Sequence, residues 1–396
     1  MTMAQKPILI SGAGLASLLL ARSLRLSNIP FQIFERDANI SFRGQGYRLR
    51  LSKEGLDAIE SVLDGPDAPA WQKFWDACGK TGGAGFAAIN ARTGETTQHQ
   101  SVSQESLGSR DNKIIGIARG EMRKLFMEGC EDFVQWGRQV SGYELTTDGV
   151  RAIFADGTRS EEGSMLIGGE GIRSEVAKQL SGGKLKVFDT RARGIHGQAR
   201  TTAFKGLGEG VFRLFDESRS DGKVFAITNV RAGDMDDPNV EFGWTMGGQP
   251  GVIKAPNDDY SIVGKAAADI AKELTSEWHP RVKPLFDDMI ENEAAFWKIT
   301  CSTPWGVPEW PNEPRVTVIG DAVHSMTPAG GIGANTAVRD SALLGRLIGE
   351  AGGFKEGITA AYEKEMRIYA SEAVAQSYGM AESTFGIKID EHSPTI

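Results

Sequence analysis

Gly12-x-Gly14-x-x-Ser17 is the first spacing in the chain that could do chemistry. It follows Pro7-Ile-Leu-Ile-Ser11, which reads as a short buried strand, and it opens an apolar run over 15–26 that reads as a helix. In that setting Gly12 permits a tight turn. Gly14 lets a diphosphate approach the backbone, where the start of a helix offers free N–H groups and positive potential. Ser17 takes the third glycine position and is small enough for close helix packing. Glu35 closes the next predicted strand, Phe31-Gln-Ile-Phe34, and is followed by Arg36. A carboxylate there can take both ribose hydroxyls of an adenosine.

A second pattern lies far downstream: Arg315-Val-Thr-Val-Ile-Gly-Asp-Ala-Val-His-Ser-Met-Thr-Pro-Ala-Gly-Gly-Ile-Gly-Ala-Asn335. Asp321 stands at the end of a predicted buried strand, a usual place for a ligand contact in α/β sheets. Gly330, Gly331 and Gly333 would let a flat ring lie against backbone. A helix beginning near Ala334 and Asn335 would point its N–H groups at that ring and stabilise negative charge there. The same residues also suit a glycine-rich loop that merely caps a helix. No nucleophile triad accompanies either pattern.

These residues need a frame. The spacing predicts a βαβ unit at the N-terminus, helices over 52–63 and 119–130, and a hairpin over 86–98 about Ala91-Arg-Thr-Gly94. Strands are expected over 140–145, 150–154 and 164–167. From about 180 the character changes: 211–215, 224–230 and 240–246 suggest an antiparallel sheet distinct from the nucleotide half. Helical spacing returns over 262–274 and 335–349. A final long helix carries Ile358, Tyr362, Met366, Tyr369, Ala373, Met380 and Thr384.

Composition narrows the classes. The chain has 396 residues, 40% apolar and 24% charged, which is an ordinary globular balance. Glycine, at 49, exceeds the usual ~7% of residues and signals many tight turns and close backbone approaches. A net charge of −8 argues against a general grip on nucleic acid or anionic membrane. Three scattered cysteines suit neither a disulfide frame nor a metal site, so no metal is expected. No run reaches the ~18 apolar residues of a membrane span. Gly12 and Gly14 interrupt the N-terminal apolar run and speak against a signal peptide. A cytoplasmic monomer or homodimer is expected.

Taken together, the motifs resemble the FAD-dependent aromatic hydroxylases of the para-hydroxybenzoate hydroxylase type, the group A flavoprotein monooxygenases. Gly12-Ala-Gly14 with Glu35-Arg36 is similar to the family's adenosine site, and Gly320-Asp321 through Asn335 to its riboflavin-contacting motif. Arg119 matches the family arginine on the flavin side. Gly44-x-Gly46 resembles the loop beside the cofactor, and 156–176 the middle fingerprint. Length and the single C-terminal helix resemble the compact members, among them the tetracycline-inactivating monooxygenases. Two residues depart from the pattern. One is Ser17. The other is Glu170, in Gly169-Glu170-Gly171 where the family has Ala-Asp-Gly; it keeps the charge at one methylene more and leaves the reductant preference open.

The resemblance implies an α/β fold: a Rossmann-like FAD-binding domain (GR2-type) with an inserted antiparallel-sheet substrate domain and a long C-terminal helix. The expected parts are FAD-binding segments over 1–75, 101–180 and 286–350, a substrate-domain hairpin over 76–100, a substrate sheet over 181–285 and the helix over 351–396. It implies non-covalent FAD, transient NAD(P)H, O2 and an aromatic or polycyclic small-molecule substrate, with oxygen transfer by way of a flavin C4a-hydroperoxide. Cofactor contacts are expected at Gly12, Gly14, Glu35, Arg36, Gly46, Arg119, Asp321, Pro328, Gly331, Gly333, Ala334 and Asn335. Two other readings stay open: a flavin reductase, dehydrogenase or halogenase, and a non-catalytic flavin-binding protein. The halogenase Trp-x-Trp-x-Ile-Pro motif is missing from Trp305-Gly-Val-Pro-Glu-Trp310.

Outside the motifs, Arg193 could orient substrate, although a solvated edge residue is the commoner outcome. His324 reads as a hydrogen-bonding loop residue. Phe242, Trp244 and Met246 alternate on one strand face, as core or as a pocket wall. Met380 and Thr384 could close the far end of a pocket.

Overall fold

The computed structural model describes residues 5–40, 48–65, 67–82, 87–97, 110, 113–230, 233–254 and 262–396. The N-terminal motif does form a βαβ unit: β1 (Ile8–Ser11), α1 (Leu15–Leu26) and β2 (Phe31–Glu35). The apolar run of α1 buries Leu18, Leu19, Leu20 and Leu24 completely. β1 lies at the centre of a five-stranded parallel sheet, between β2 and β11 (Met165–Gly168). β8 (Val134–Trp136) flanks β2, and β17 (Val316–Val318) flanks β11. All four residues of β1 and of β11 are buried, as expected of strands covered on both faces. The chain moves outward from β1 to β2 and β8, then returns to the other side for β11 and β17. This reversal opens a crevice at the carboxyl ends of the strands.

Two smaller sheets accompany it. β3 (Arg48–Leu51) and β4 (Gly79–Gly82) both pair with β7 (Lys113–Ala118), and β9 (Val140–Leu145) pairs with β10 (Val150–Phe154). Helices α2 (Lys53–Val62), α3 (Pro69–Ala77), α4 (Arg119–Met127) and α5 (Glu175–Leu180) complete this half.

A seven-stranded sheet forms the second half. Its order is β16 (Ala295–Ser302), β12 (Val187–Arg200), β15 (Glu241–Gly248), β14 (Val224–Val230), β13 (Gly210–Asp216), β5 (Ala87–Asn90) and β6 (Thr96–Thr97). One face carries a separate core, in which Phe242 meets Phe204 edge-on and Trp244 packs on Phe286. Helices α6 (Lys265–Leu274) and α7 (Pro284–Asp287) cover that face.

The sheet is antiparallel as expected, except that β5 runs parallel to β13. Three expectations are corrected. The sheet does not end at 285, because β16 pairs with β12 along most of its length. The segment 76–100 is divided: β4 joins β7, and only β5 and β6 form the hairpin. The stretch 351–396 is helical only in part. Its helix, α10, spans 28 residues (Ile358–Phe385) and stops at Gly386 in the left-handed conformation. The tail beyond it returns to β12, where Asp189 N–H donates to Pro394 O at 2.8 Å.

Two further helical elements follow β17: a single turn, α8 (Asp321–His324), and α9 (Gly333–Ala351). α9 packs alongside α1 in the same direction. Ser341 Oγ donates to Ala16 O at 2.7 Å, and Gly345 then Gly349 lie against Ser23 then Ser27. α10 crosses behind β17, where Tyr362 Oη donates to Val318 O at 3.1 Å.

Candidate functional site

Strand ends bring the predicted residues to one crevice. Gly12 follows β1, Glu35 ends β2, Gly169 follows β11, and Gly320 and Asp321 follow β17. Gly12 has φ +88, and a Cβ there would lie 2.6 Å from the Gly169 carbonyl oxygen. Only glycine meets both conditions. At Gly14 the one neighbour of an added Cβ is that same oxygen, at 3.9 Å, so the residue borders open space before α1. α1 has no side-chain cap and no acid in its first turn, which leaves its leading N–H groups and positive end available to an anion.

Glu35 is 7% exposed. Oε2 accepts Ala13 N–H at 2.7 Å and Oε1 accepts Asp37 N–H at 2.9 Å, so the carboxylate is fixed across the glycine turn. Each oxygen keeps further acceptor capacity for a hydroxyl donor. The organiser here is a residue the sequence reading passed over. Arg123, 4% exposed on α4, donates to Ala13 O at 2.9 Å and to Ile40 O at 3.1 Å, and its guanidinium lies 3.8 Å from Glu35 Oε2. Its position four residues after Arg119, on the same side of a helix, was the available signal. Arg36 points outward beside Asp37 and joins none of this. Gly44 and Gly46 lie outside the described residues.

Glu170 is engaged at the start of α5. Ser174 Oγ donates to its Oε2 at 2.7 Å and Val176 N–H to its Oε1 at 3.3 Å, so it caps α5. Burial raises its carboxyl above the usual carboxylate range, against those hydrogen bonds.

At the other end, Pro328, Ala329, Gly330 and Gly331 form a tight turn into α9, with Gly331 N–H donating to Pro328 O at 3.1 Å. α9 also begins without a side-chain cap or a first-turn acid, so the N–H groups near Gly333 and Ala334 face outward from its positive end. Asn335 is 4% exposed and works inward. Its Oδ1 accepts Ser52 N–H at 2.8 Å, while Nδ2 donates to Arg50 O at 2.9 Å and Gly331 O at 3.0 Å. Its side chain clamps β3 and α2 to the glycine turn and is spent on backbone. Met380 of α10 covers Gly330, in keeping with a closing role for that helix. Thr327 and Ser377 hydroxyls bond at 2.7 Å to fix it there.

Asp321 is open to solvent while Ala322, Val323 and His324 behind it are buried. Enclosure by surrounding protein raises its carboxyl; the charges of His324 and Arg119 oppose that, and Asp340 adds to it. Arg119 is half-buried at the start of α4 and its charge acts on both Asp321 and His196. It therefore stands between the Asp321 turn and the large sheet. His324 reaches Asp340 on α9, not Asp321, at 2.7 Å.

Strand alternation sorts the sheet residues. Ile195 and Phe296 point into the sheet's own core; His196 and Trp297 point the other way. The His196 ring stacks on Trp297 at 4.8 Å and 4°, and its Nδ1 bonds Thr245 Oγ1 at 3.0 Å. Burial, then the like charge of Arg119, lowers its pKa to about 3, so the ring is neutral. On the same face Phe225 meets Phe385 of α10, and Trp297 and Ala329 of the glycine turn pack against the same small cluster. That face, unreadable from local sequence, looks onto the Asp321 turn. Phe242, Trp244 and Met246 face away from it and are core. Arg193 also lies on the far face. Asp189 holds it bidentate at 2.7 and 3.0 Å across a bulge in β12, so the structure does not bring it to the crevice as a catalytic group. Among the described residues no cluster of His, Cys, Asp and Glu could hold a metal ion, and no helix is long and apolar enough to cross a membrane.

The family described as FAD binding domain matches residues 87–377. The chain is 28% identical to the dual O-methyltransferase/FAD-dependent monooxygenase elcB of Phaeosphaeria nodorum, over 96% of its own length and 46% of that protein. It thus spans about half the length of the first curated relatives it matches. It is 26% identical to the FAD-dependent monooxygenase thnD of Trichoderma harzianum, over 86% of this chain and 82% of that one. A crystal structure of Klebsiella pneumoniae HpxO complexed with FAD and uric acid matches with a TM-score of 0.74 at 20% identity, covering 96% of this chain and 89% of that chain. At that identity the match speaks for the fold alone.

Proposed function

Since this chain belongs to the FAD binding domain family, we propose that it is an FAD-dependent monooxygenase. It would draw electrons from NAD(P)H and transfer one atom of O2 to an aromatic or other electron-rich small molecule. The observation that carries the reading is the pair of uncapped helices, α1 and α9, lying parallel in one crevice. Ser341 sits beside the start of α1, so α9 begins a further eight residues out, at Gly333. At 1.5 Å per residue that is about 12 Å. Two positive helix ends so spaced suit a ligand with a diphosphate at one end and an electron-accepting ring at the other. The open space before Gly14 and the solvent-facing Asp321 fit the same group.

FAD, when bound, supplies hydride acceptance and activation of O2. The chain's own residues do the rest. Gly12, Gly14 and the first N–H groups of α1 receive the diphosphate, and Glu35, held by Arg123, receives the ribose hydroxyls. Asp321 and the turn over Pro328, Gly331, Gly333 and Ala334 hold the ring end, where the positive end of α9 favours negative charge. Arg119 adds a cation between that end and the sheet. Trp297, His196, Phe225 and Phe385 wall the substrate side and exclude water. NAD(P)H as reductant and a small-molecule substrate belong to the same reading.

The test is turnover by FAD-loaded protein across a panel of hydroxylated aromatics. NAD(P)H and O2 should be consumed together, with a substrate-dependent stimulation that stops without O2. NAD(P)H oxidation that continues anaerobically would identify a reductase. FAD-loaded protein that no substrate stimulates would identify a binding protein.

A further inference from the structure

A single turn of helix cannot hold its own shape, because nucleation fixes several residues for one hydrogen bond. The α8 turn is one such element, and Asp321 is its first residue. Something outside the turn must aim that carboxylate. Asp340, on α9, is completely buried. Its Oδ2 accepts Gly320 N–H at 2.6 Å and meets His324 Nε2 at 2.7 Å. Those two residues bracket the turn, so one oxygen clasps both of its ends. Oδ1 accepts the Tyr369 hydroxyl of α10 at 2.6 Å, and the Arg339 guanidinium lies 4.1 Å from the Tyr369 ring centroid. Gly320 has φ +62 and sits against Ala16 of α1, so its amide is delivered from a backbone shape that only glycine adopts readily.

We propose that Asp340 is a positioning residue for the ring end of the site, clasping the α8 turn so that Asp321 faces the crevice. The proposal rests on the FAD reading and adds a residue that does not itself line the crevice. A fully buried carboxylate needs compensating donors. It has three: two belong to the α8 turn and the third comes from α10. Burial lowers the pKa of His324, but the charge and hydrogen bond of Asp340 outweigh this and raise it, so the clasp favours an imidazolium. The remaining charge on this group is that of Asp321 itself, which Arg119 faces from α4. Asp340→Asn replaces an acceptor oxygen with an NH2 group and sets donor against donor on at least one side.

The experiment separates the two ends of the site. Wild-type protein, Asp340→Asn, Tyr369→Phe and Glu363→Gln are titrated with FAD and with ADP, which carries only the adenosine and diphosphate. Glu363 is a second buried acid on α10, but it bonds Thr317 Oγ1 at 3.0 Å and does not touch the turn. Asp340→Asn should raise the Kd for FAD at least tenfold, leave the Kd for ADP within twofold, and change the visible circular dichroism of bound flavin at saturation. Tyr369→Phe, which keeps both bonds to the turn, should stay within threefold for FAD. Glu363→Gln should lower Tm without moving either Kd. Equal losses for FAD and ADP in Asp340→Asn, or no loss for FAD, would overturn the clasp. Wild-type protein that binds neither ligand would overturn the FAD reading instead.

Discussion

Replacing Asn335 by Ala tests whether this residue serves the ligand or the frame. The structure gives its side chain three hydrogen bonds, to Ser52 N–H, Arg50 O and Gly331 O, all to backbone and all at a site 4% exposed. At about 1 kcal/mol net for each, Asn335→Ala should cost about 3 kcal/mol. Orphaned backbone groups add to that figure, and water entering the space subtracts from it. For a chain of this length unfolding as one unit, the entropy of unfolding makes that about 4 °C in Tm. The measurement is denaturant unfolding of the FAD-free variant, followed by FAD titration. Stability should fall first and without ligand, and FAD affinity should fall with it because the glycine turn loses its tie to β3 and α2. Apo stability within about 0.5 kcal/mol of wild type, combined with loss of FAD, would refute the clamp and return Asn335 to direct contact with the ring.

Gly12→Ala places a Cβ 2.6 Å from the Gly169 carbonyl oxygen at φ +88. Left-handed strain alone costs about 1–2 kcal/mol, and the obstacle is backbone. The variant should purify with little FAD, which its absorbance will show; full flavin content with unchanged Tm would contradict the packing. His196 supplies a pH test. Its pKa is about 3 in the folded chain against 6.5 ordinarily, so between those values the unfolded chain holds the extra proton. Its contribution to stability is present above pH 6.5 and is lost as pH falls toward 3, by at most about 1.4 kcal/mol per pH unit. Denaturant melts of wild type and His196→Gln over pH 4–7.5 should show a flatter acid limb in the variant, and parallel curves would exclude His196 as the cause.

Local patterns in the chain were enough for much of this molecule. Gly12, Gly14 and Glu35 were readable because a tight turn, a helix start and a strand end each leave a short-range mark on residue type. Asp321 and the glycine turn were readable for the same reason. α10 was legible from its three-to-four spacing, and β9 and β10 from their alternation about Asp148-Gly149. What could not be read depends on partners distant in the chain. Arg123 matters because it meets Ala13 and Glu35, and Asp340 because Gly320, His324 and Tyr369 converge on it. Asn335 carries the right residue type for a ligand contact, but only packing shows that backbone already uses its amide. The two faces of β12 are the plainest case. His196 and Arg193 lie three residues apart, and the pleat sends one toward the crevice and the other away. No local rule says which face a long, bulged strand will bury, because that is set by what packs against each side once the chain has closed.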